Sequence, residues 1–276
     1  MQDTWWSPWQ PGEHCRYWPG RIPLLVSLPH DGSEIPADLA ASMTPGALRS
    51  PDSDWQVSQL YDFARELGAH LLRPRWSRYV VDLNRPPDGA ALYPGRRETG
   101  LCPTVMFSGD PVYLDGGEPD AAAIAARVER YWRPYHGCLA ATLAQIRAEH
   151  GHALLWEGHS IRSLCPMFFD GRLPDYNLGT AEGSSCTAAV RAALAEGLQR
   201  AGVSHIVDGR FKGGYITRHY GQPGQGVHAV QLEMTQCSYM QECLPFDYLP
   251  ERAVQVQPHL QRMLAAALDF ARASRI

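Results

Sequence analysis

The chain has 276 residues, 45% hydrophobic and 20% charged, enough to bury a sizeable core and too apolar for a disordered polymer. A formal net charge of −4, with scattered arginines and no basic stripe, excludes nucleic acid as an expected partner. Nothing approaches the roughly 20 apolar residues of a membrane-spanning helix. The 7 cysteines, without CxxC spacing, predict reduced thiols rather than a disulfide framework. Met1-Gln2-Asp3-Thr4-Trp5-Trp6 puts an acid and tryptophans where a leader needs a basic and then an apolar region, so a cytoplasmic location is expected.

Short apolar runs alternate with longer amphipathic stretches, which predicts an α/β fold whose mostly parallel sheet is covered on both faces. The first strand is predicted over residues 22–28, where Leu24-Leu25-Val26-Ser27-Leu28 runs into Pro29-His30-Asp31-Gly32. A buried strand that stops at a histidine and a glycine delivers an imidazole to the rim of the sheet, where α/β proteins build their sites. Glu34 follows four residues on, but Gly32 and Pro36 rule out the regular helix of an HExxH-type pair. A helix is predicted over 54–67 from Val57, Leu60, Tyr61, Ala64 and Leu67, one stripe at helical spacing. Within Asp52-Ser53-Asp54, Asp52 reads as an N-cap. Asp54 lies on the buried stripe and is either a first-turn acid or a metal ligand. Strands over 69–72 and 79–83 follow, the second running into Asn84-Arg85.

After a long connection at 86–117, a helix is predicted over 120–150 and a strand over 153–157 that ends in Glu157-Gly158-His159-Ser160. Glu and His two apart on an extended chain share a face, so His159 reads as a ligand with Glu157 behind it to fix its tautomer. A second long connection, 165–185, precedes a helix over 186–201 and a strand over 204–207. Connections of this size serve as lids or binding loops. The strand over 227–233 puts Gln231 and Glu233 on the face of Ala229 and closes with Glu233, a natural general base for an attacking water. A helix over 251–272 completes the pattern. With no internal repeat and no linker, a single domain over 1–276 is expected.

Two histidines and carboxylates at strand ends point to a zinc-dependent hydrolase, although iron or cobalt would accept the same ligands. Arg85, Arg162 and Arg218 each follow a strand end or sit in a Gly-flexed loop, and arginine suits bidentate capture of a carboxylate. An anionic substrate is therefore expected. There is no GxSxG elbow, P-loop or GxGxxG, and Cys237 has no adjacent base.

Several stretches run in order through most of the chain: Ser27-Leu28-Pro29-His30-Asp31-Gly32, Asp52-Ser53-Asp54-Trp55, Val81-Asp82-Leu83-Asn84-Arg85-Pro86, Trp156-Glu157-Gly158-His159-Ser160, Gly209-Arg210-Phe211-Lys212-Gly213-Gly214, Ile216-Thr217-Arg218-His219-Tyr220-Gly221 and Gln231-Leu232-Glu233. In these the sequence resembles the N-formylglutamate amidohydrolases. The resemblance implies a three-layer αβα fold similar to the zinc carboxypeptidases, a catalytic zinc at strand ends, and hydrolysis of N-formyl-L-glutamate in histidine breakdown. It implies His30, Asp54 and His159 as ligands, with Glu34 competing for the acidic position, and Glu233 as base. Asn84, Arg85, Arg162 and Arg218 are then the candidates for the substrate's carboxylates or the developing oxyanion. Glu157 departs from the aspartate of the family's Asp-x-His-Ser pattern by one methylene. Two other readings fit the residues: a related zinc amidohydrolase acting on another N-acylated acidic amino acid or a peptide, and a metal-free protein that binds a dicarboxylate with its arginines.

Overall fold

Among the described residues seven strands, β1 (Cys15–Trp18), β2 (Leu24–Ser27), β3 (His70–Pro74), β4 (Ala153–Ile161), β5 (Tyr176–Gly179), β6 (His205–Val207) and β7 (Val227–Thr235), join in one mixed sheet of order β1-β3-β2-β4-β7-β5-β6. The computed structural model describes residues 5, 7–92, 95 and 97–273; apart from Trp5, the N-terminal stretch read above for want of a leader lies outside the described residues. The strands β3, β2, β4 and β7 are parallel, as are β5 and β6, while β1 on β3 and β5 on β7 are antiparallel. The expectation of a mostly parallel sheet in an α/β fold therefore holds.

Among the described residues eight α-helices accompany the sheet: α1 (Ala37–Ala40), α2 (Val57–Leu60), α3 (Phe63–Glu66), α4 (Ala121–Arg127), α5 (Arg133–His150), α6 (Ala188–Ala201), α7 (Tyr215–Tyr220) and α8 (Pro250–Ala273). The period of two sorts the strand residues between two layers. Leu24, Val26, Leu154, Trp156, Val230, Leu232 and Met234 pack with α2, α3, α6 and α8. Leu25, Leu155, Ala153 and Ala229 pack against Tyr135, Leu139, Leu143 and Ile146 of α5 and Ile216 of α7. Each fully buried Leu, Val, Ile or Met among them contributes about 1.5–3 kcal/mol, which fixes which strand residues face which layer.

Several elements differ from the sequence reading. Residues 79–83 are buried turn and loop instead of a strand, with Val80 N–H closing a turn on Ser77 O and Asp82 N–H donating to Leu101 O of a distant loop. An apolar run cannot distinguish a buried turn from a strand when side chains and other loops satisfy its amides. The predicted 54–67 helix is two short helices, because Gln56 adopts a left-handed conformation (φ 63°) and the chain turns again at Tyr61. The 120–150 helix is interrupted by a π turn at Val128–Trp132, just ahead of Pro134, whose ring cannot follow a regular helical turn. Strands β1 and β5 were not expected; β5, inside the supposed 165–185 loop, is Tyr-Asn-Leu-Gly and carries no apolar run. The strands β4 and β7 continue past their predicted ends, so His159 and Glu233 lie within them and pair directly across the sheet. Gly158 makes that continuation possible. A Cβ there would stand 2.6 Å from Leu28 Cδ2 and 2.9 Å from Tyr61 Cε2.

Candidate active site

The site lies at the C-terminal rim of the four parallel strands, on the α5–α7 side of the sheet. His30 follows β2, His159 sits in β4, and Asp54 enters from the turn before α2. Its backbone N–H donates to His30 O at 2.9 Å. The three side chains are buried and converge: His30 Nδ1 and His159 Nδ1 are 3.2 Å apart, His159 Nδ1 and Asp54 Oδ2 3.2 Å, His30 Nδ1 and Asp54 Oδ2 3.8 Å. Ligands about 2.0–2.1 Å from a tetrahedral ion are about 3.3–3.4 Å from one another, so these atoms already describe one face of such a site. This cluster could hold a metal ion.

What lies behind each ligand supports that reading. His30 Nε2 faces Asp82 Oδ1 at 2.7 Å, so its Nδ1 is the nitrogen turned to the cluster. The Asp82 carboxylate also accepts from Arg78 Nη2 at 2.7 Å and Asn84 N–H at 2.9 Å. His159 Nε2 has Glu157 Oε2 at 3.4 Å and Asn84 Nδ2 at 3.2 Å. Asp54 Oδ2 accepts from Ser160 N–H at 3.0 Å. Hydrogen bonds on the far side of a ligand fix its tautomer and direction.

The charges follow from these contacts. Burial, with the Arg78 charge, pushes the His30 imidazole down to about 4, which keeps it neutral. Burial opposes a charged His159, but the Asp54 and Glu157 carboxylates outweigh it and hold the imidazole up at about 10. Asp82 is buried too, yet its contact with His30 and the Arg78 charge hold it well below the usual carboxylate range. Two imidazoles and a carboxylate thus share a proton that a divalent cation would displace. Glu233 is pushed up to about 8, chiefly by burial, with His159 pulling down and Asp54 pushing up. A carboxylate so perturbed beside a potential metal site has the properties of a general base.

One cavity is lined by His30, Asp54, His159, Glu233, Asn84 and Arg85, together with Arg78, Phe107, Phe168, Arg210, Phe211 and Gln231 among others. Asn84 is fixed from three sides: its Oδ1 accepts from Ile216 N–H at 2.9 Å, its Nδ2 faces Gln231 Oε1 and His159 Nε2, and Gly214 packs so closely that a Cβ would overlap the amide. Arg85 donates to Thr99 O, Asn84 O and Thr99 Oγ1 at its edge of the cavity.

Three expectations need correction. Arg162 does not line the cavity; its Nη2 donates to Asp52 at 3.0 Å, which ties two loops together behind the site. Arg218, on α7, donates from Nε to Gly213 O and also lies outside the lining. Asp52 is not a helix cap, since its buried carboxylate accepts from Tyr79 Oη, Phe107 N–H and Arg162. Glu34 pairs with Arg75 at 2.9 Å, outside the cluster, which leaves Asp54 as the acidic member. The reading of single residues passed over Asp82, Arg78 and Arg210. A signal existed for the first two: charges four apart flanking the apolar run 79–81 must be paired if that run is buried.

This geometry defines an α/β protein with a buried His–Asp–His cluster able to hold a metal, and a buried carboxylate beside it at the rim of the sheet. The model of the N-formylglutamate amidohydrolase family matches residues 22–240, and the chain belongs to that family. It is 48% identical over 254 residues to N-formylglutamate deformylase of Pseudomonas aeruginosa, covering 92% of this chain and 95% of that protein. It is 47% identical over 256 residues to N-formylglutamate deformylase of Pseudomonas putida, covering 91% and 94% respectively. The fold matches a crystal structure of N-formylglutamate amidohydrolase from Ralstonia eutropha with a TM-score of 0.78 at 22% identity, over 95% of this chain and 98% of that one. Among the described residues no helix is long and apolar enough to cross a membrane.

Proposed function

We propose that this chain is a zinc enzyme of the cytoplasm that hydrolyses the formamide C–N bond of N-formyl-L-glutamate, giving formate and L-glutamate in histidine breakdown. The observation that carries the reading is the convergence of His30, Asp54, His159 and Glu233 in one cavity. The names of the two Pseudomonas relatives supply the substrate. When bound by His30 Nδ1, Asp54 and His159 Nδ1, zinc would polarise the formyl oxygen and acidify a water.

The chain's own residues do the rest. Glu233 takes a proton from the attacking water and returns one to the departing nitrogen of glutamate. Its raised affinity for protons suits both halves of that shuttle. Asp82 and Glu157 keep the two imidazoles turned toward the cluster, and Arg78 holds Asp82 in place. Asn84 and Arg85, next to His159, take the α-carboxylate, which lies only two bonds from the scissile nitrogen. Arg78, Arg85 and Arg210 face Asp54, Glu98 and Glu233 around the cavity. The carboxylates do not outnumber the guanidiniums, so a divalent cation leaves the lining positive, the sign a dianionic substrate requires. Arg162 supports the site from behind through Asp52.

The test is formate release from N-formyl-L-glutamate by the purified protein, before and after removal of metal with a chelator. Release that disappears on stripping and returns with zinc is expected. Activity that survives verified metal removal refutes the role of the metal. No formate with zinc, iron or cobalt refutes the substrate.

A further inference from the structure

Resting on that reading, we propose that Arg210 receives the side-chain carboxylate of the substrate and sets the enzyme's preference for an acidic side chain. The substrate's two carboxylates make different demands. The α-carboxylate is held close to the formyl group by the chemistry of an amino acid. The other lies four bonds from the scissile nitrogen, beyond two methylenes, so its receptor needs a cation set back from the metal ligands and an apolar wall before it.

Three guanidiniums line the cavity among the described residues: Arg78, Arg85 and Arg210. Arg78 is buried at the back, with Asp82 at 2.7 Å and Asp54 at 4.0 Å, and balances carboxylates of the protein. Arg85 adjoins Asn84, beside His159, where the α-carboxylate falls. Arg78 stands over one ring, Phe107 at 5.1 Å, whereas Arg210 stands against two, its guanidinium carbon 5.3 Å from the ring centres of both Phe168 and Phe211, with Phe107 packed edge-on to Phe168. These phenylalanines line the cavity and offer the wall that two methylenes would cover.

The guanidinium is also aimed. Its Nε donates to Phe168 O and its Nη2 to Arg97 O, both at 2.8 Å, so it spans the 165–169 segment and the 97–99 segment from its own loop. A planar fork fixed this way loses little further freedom on meeting a carboxylate. Arg210 and Glu233 line the same cavity, so one substrate can meet both. Glu98 also lines the cavity, and its Oε2 accepts from Leu92 N–H.

The competing role, a tie between loops, predicts something different. A loop tie serves every substrate equally, whereas a carboxylate receptor serves only the substrate that carries the carboxylate. The experiment compares kcat/KM for N-formyl-L-glutamate and N-formyl-L-glutamine, which differ only in that group, in the zinc-loaded wild type, Arg210→Met and Arg210→Lys. The wild type should prefer the acid by about 10²-fold or more, mostly through KM, and Arg210→Met should collapse that ratio to within a few-fold of unity. Arg210→Lys keeps the charge without the fork and should retain an intermediate ratio. Because each protein is its own control across two substrates, partial loss of fold does not change the ratio, and Arg210→Lys decides the matter if Arg210→Met does not fold. An equal fall on both substrates, an unchanged ratio, or a wild type indifferent to the side-chain charge overturns the proposal. A wild type that deformylates neither compound overturns the functional reading instead.

Discussion

Asp82→Asn tests whether the site is oriented from behind. The native carboxylate, fully buried, accepts at 2.7 Å from His30 Nε2, at 2.7 Å from Arg78 and at 2.9 Å from Asn84 N–H. An amide of the same shape cannot serve all three. With its oxygen toward His30 and Asn84, its NH₂ meets the Arg78 guanidinium, donor against donor. Turned the other way, it forces Nε2 of His30 to accept, which puts the ring proton on Nδ1 where a metal must bind. Loss of a hydrogen bond behind a metal-bound histidine typically weakens metal binding about 10–100-fold, or about 1.4–2.7 kcal/mol. Removing one partner of a buried ion pair costs about 3–5 kcal/mol. With Asp54 still 4.0 Å from Arg78, the lower end applies. At roughly 2–4 °C per kcal/mol for a large domain, the metal-free protein should melt about 6–12 °C lower. Thermal melts of metal-free protein and competition for zinc against a chelating dye give the two quantities separately. A lower melting temperature with wild-type zinc affinity would refute the orienting role, and no change in either would refute the ion-pair argument as well.

Glu233→Gln should lower kcat on N-formyl-L-glutamate by about 10² to 10⁴ while zinc content stays at the wild-type level; near-normal kcat would show that another group moves the proton. Gly214→Ala should push the Asn84 amide off its contacts with Ile216 and Gln231, at about 1–3 kcal/mol in stability and about 10-fold or more in kcat/KM. A variant as active and as stable as wild type would mean that this packing is looser than the structure shows. The third concerns pH. Burial pushes His136 down to about 3, and it stays neutral between Leu83 O at 2.8 Å and Tyr220 Oη at 3.0 Å. Its pKa is lower folded than unfolded, so only the unfolded chain takes up the proton between the ordinary value near 6.5 and about 3. Its contribution is therefore complete above about 6.5 and declines as pH falls, by up to about 1.4 kcal/mol per unit. His136→Gln keeps a donor and an acceptor, so in urea unfolding between pH 4 and 6 its stability should fall less steeply, by up to one proton. Parallel slopes would mean that His136 is not held neutral.

Much of the site was legible because its residues sit where the chain's local pattern changes. An uncharged run that ends in Pro29-His30, a strand that carries Glu157 and His159 two apart, and a carboxylate closing the Val227 run are visible one residue at a time. The supporting network was not. Asp82 and Arg78 lie in a segment whose apolar residues imitate a strand, and their meaning depends on His30, some fifty residues away in sequence. The arginines show the same limit from the other side. In the sequence Arg85 and Arg162 each follow an apolar run, and Arg210 and Arg218 sit in Gly-containing stretches, and nothing in their neighbours says which reach the cavity. In the fold, Asp52 captures Arg162 and Gly213 O captures Arg218, while Arg85 and Arg210 line the wall.

By itself, then, the sequence determined the alternation of buried strands and amphipathic helices, the rim on which the histidines fall, and the side-chain period that puts Gln231 and Glu233 on one face. These are properties of short segments, set by the geometry of a strand and the cost of exposing apolar surface. Tertiary structure alone decided that Asp54 rather than Glu34 completes the cluster, that His159 and Glu233 face each other across adjacent strands, and that Arg210 joins the cavity. Those depend on which distant loops meet, and on which buried charge finds its partner first. Both are settled by packing the whole chain.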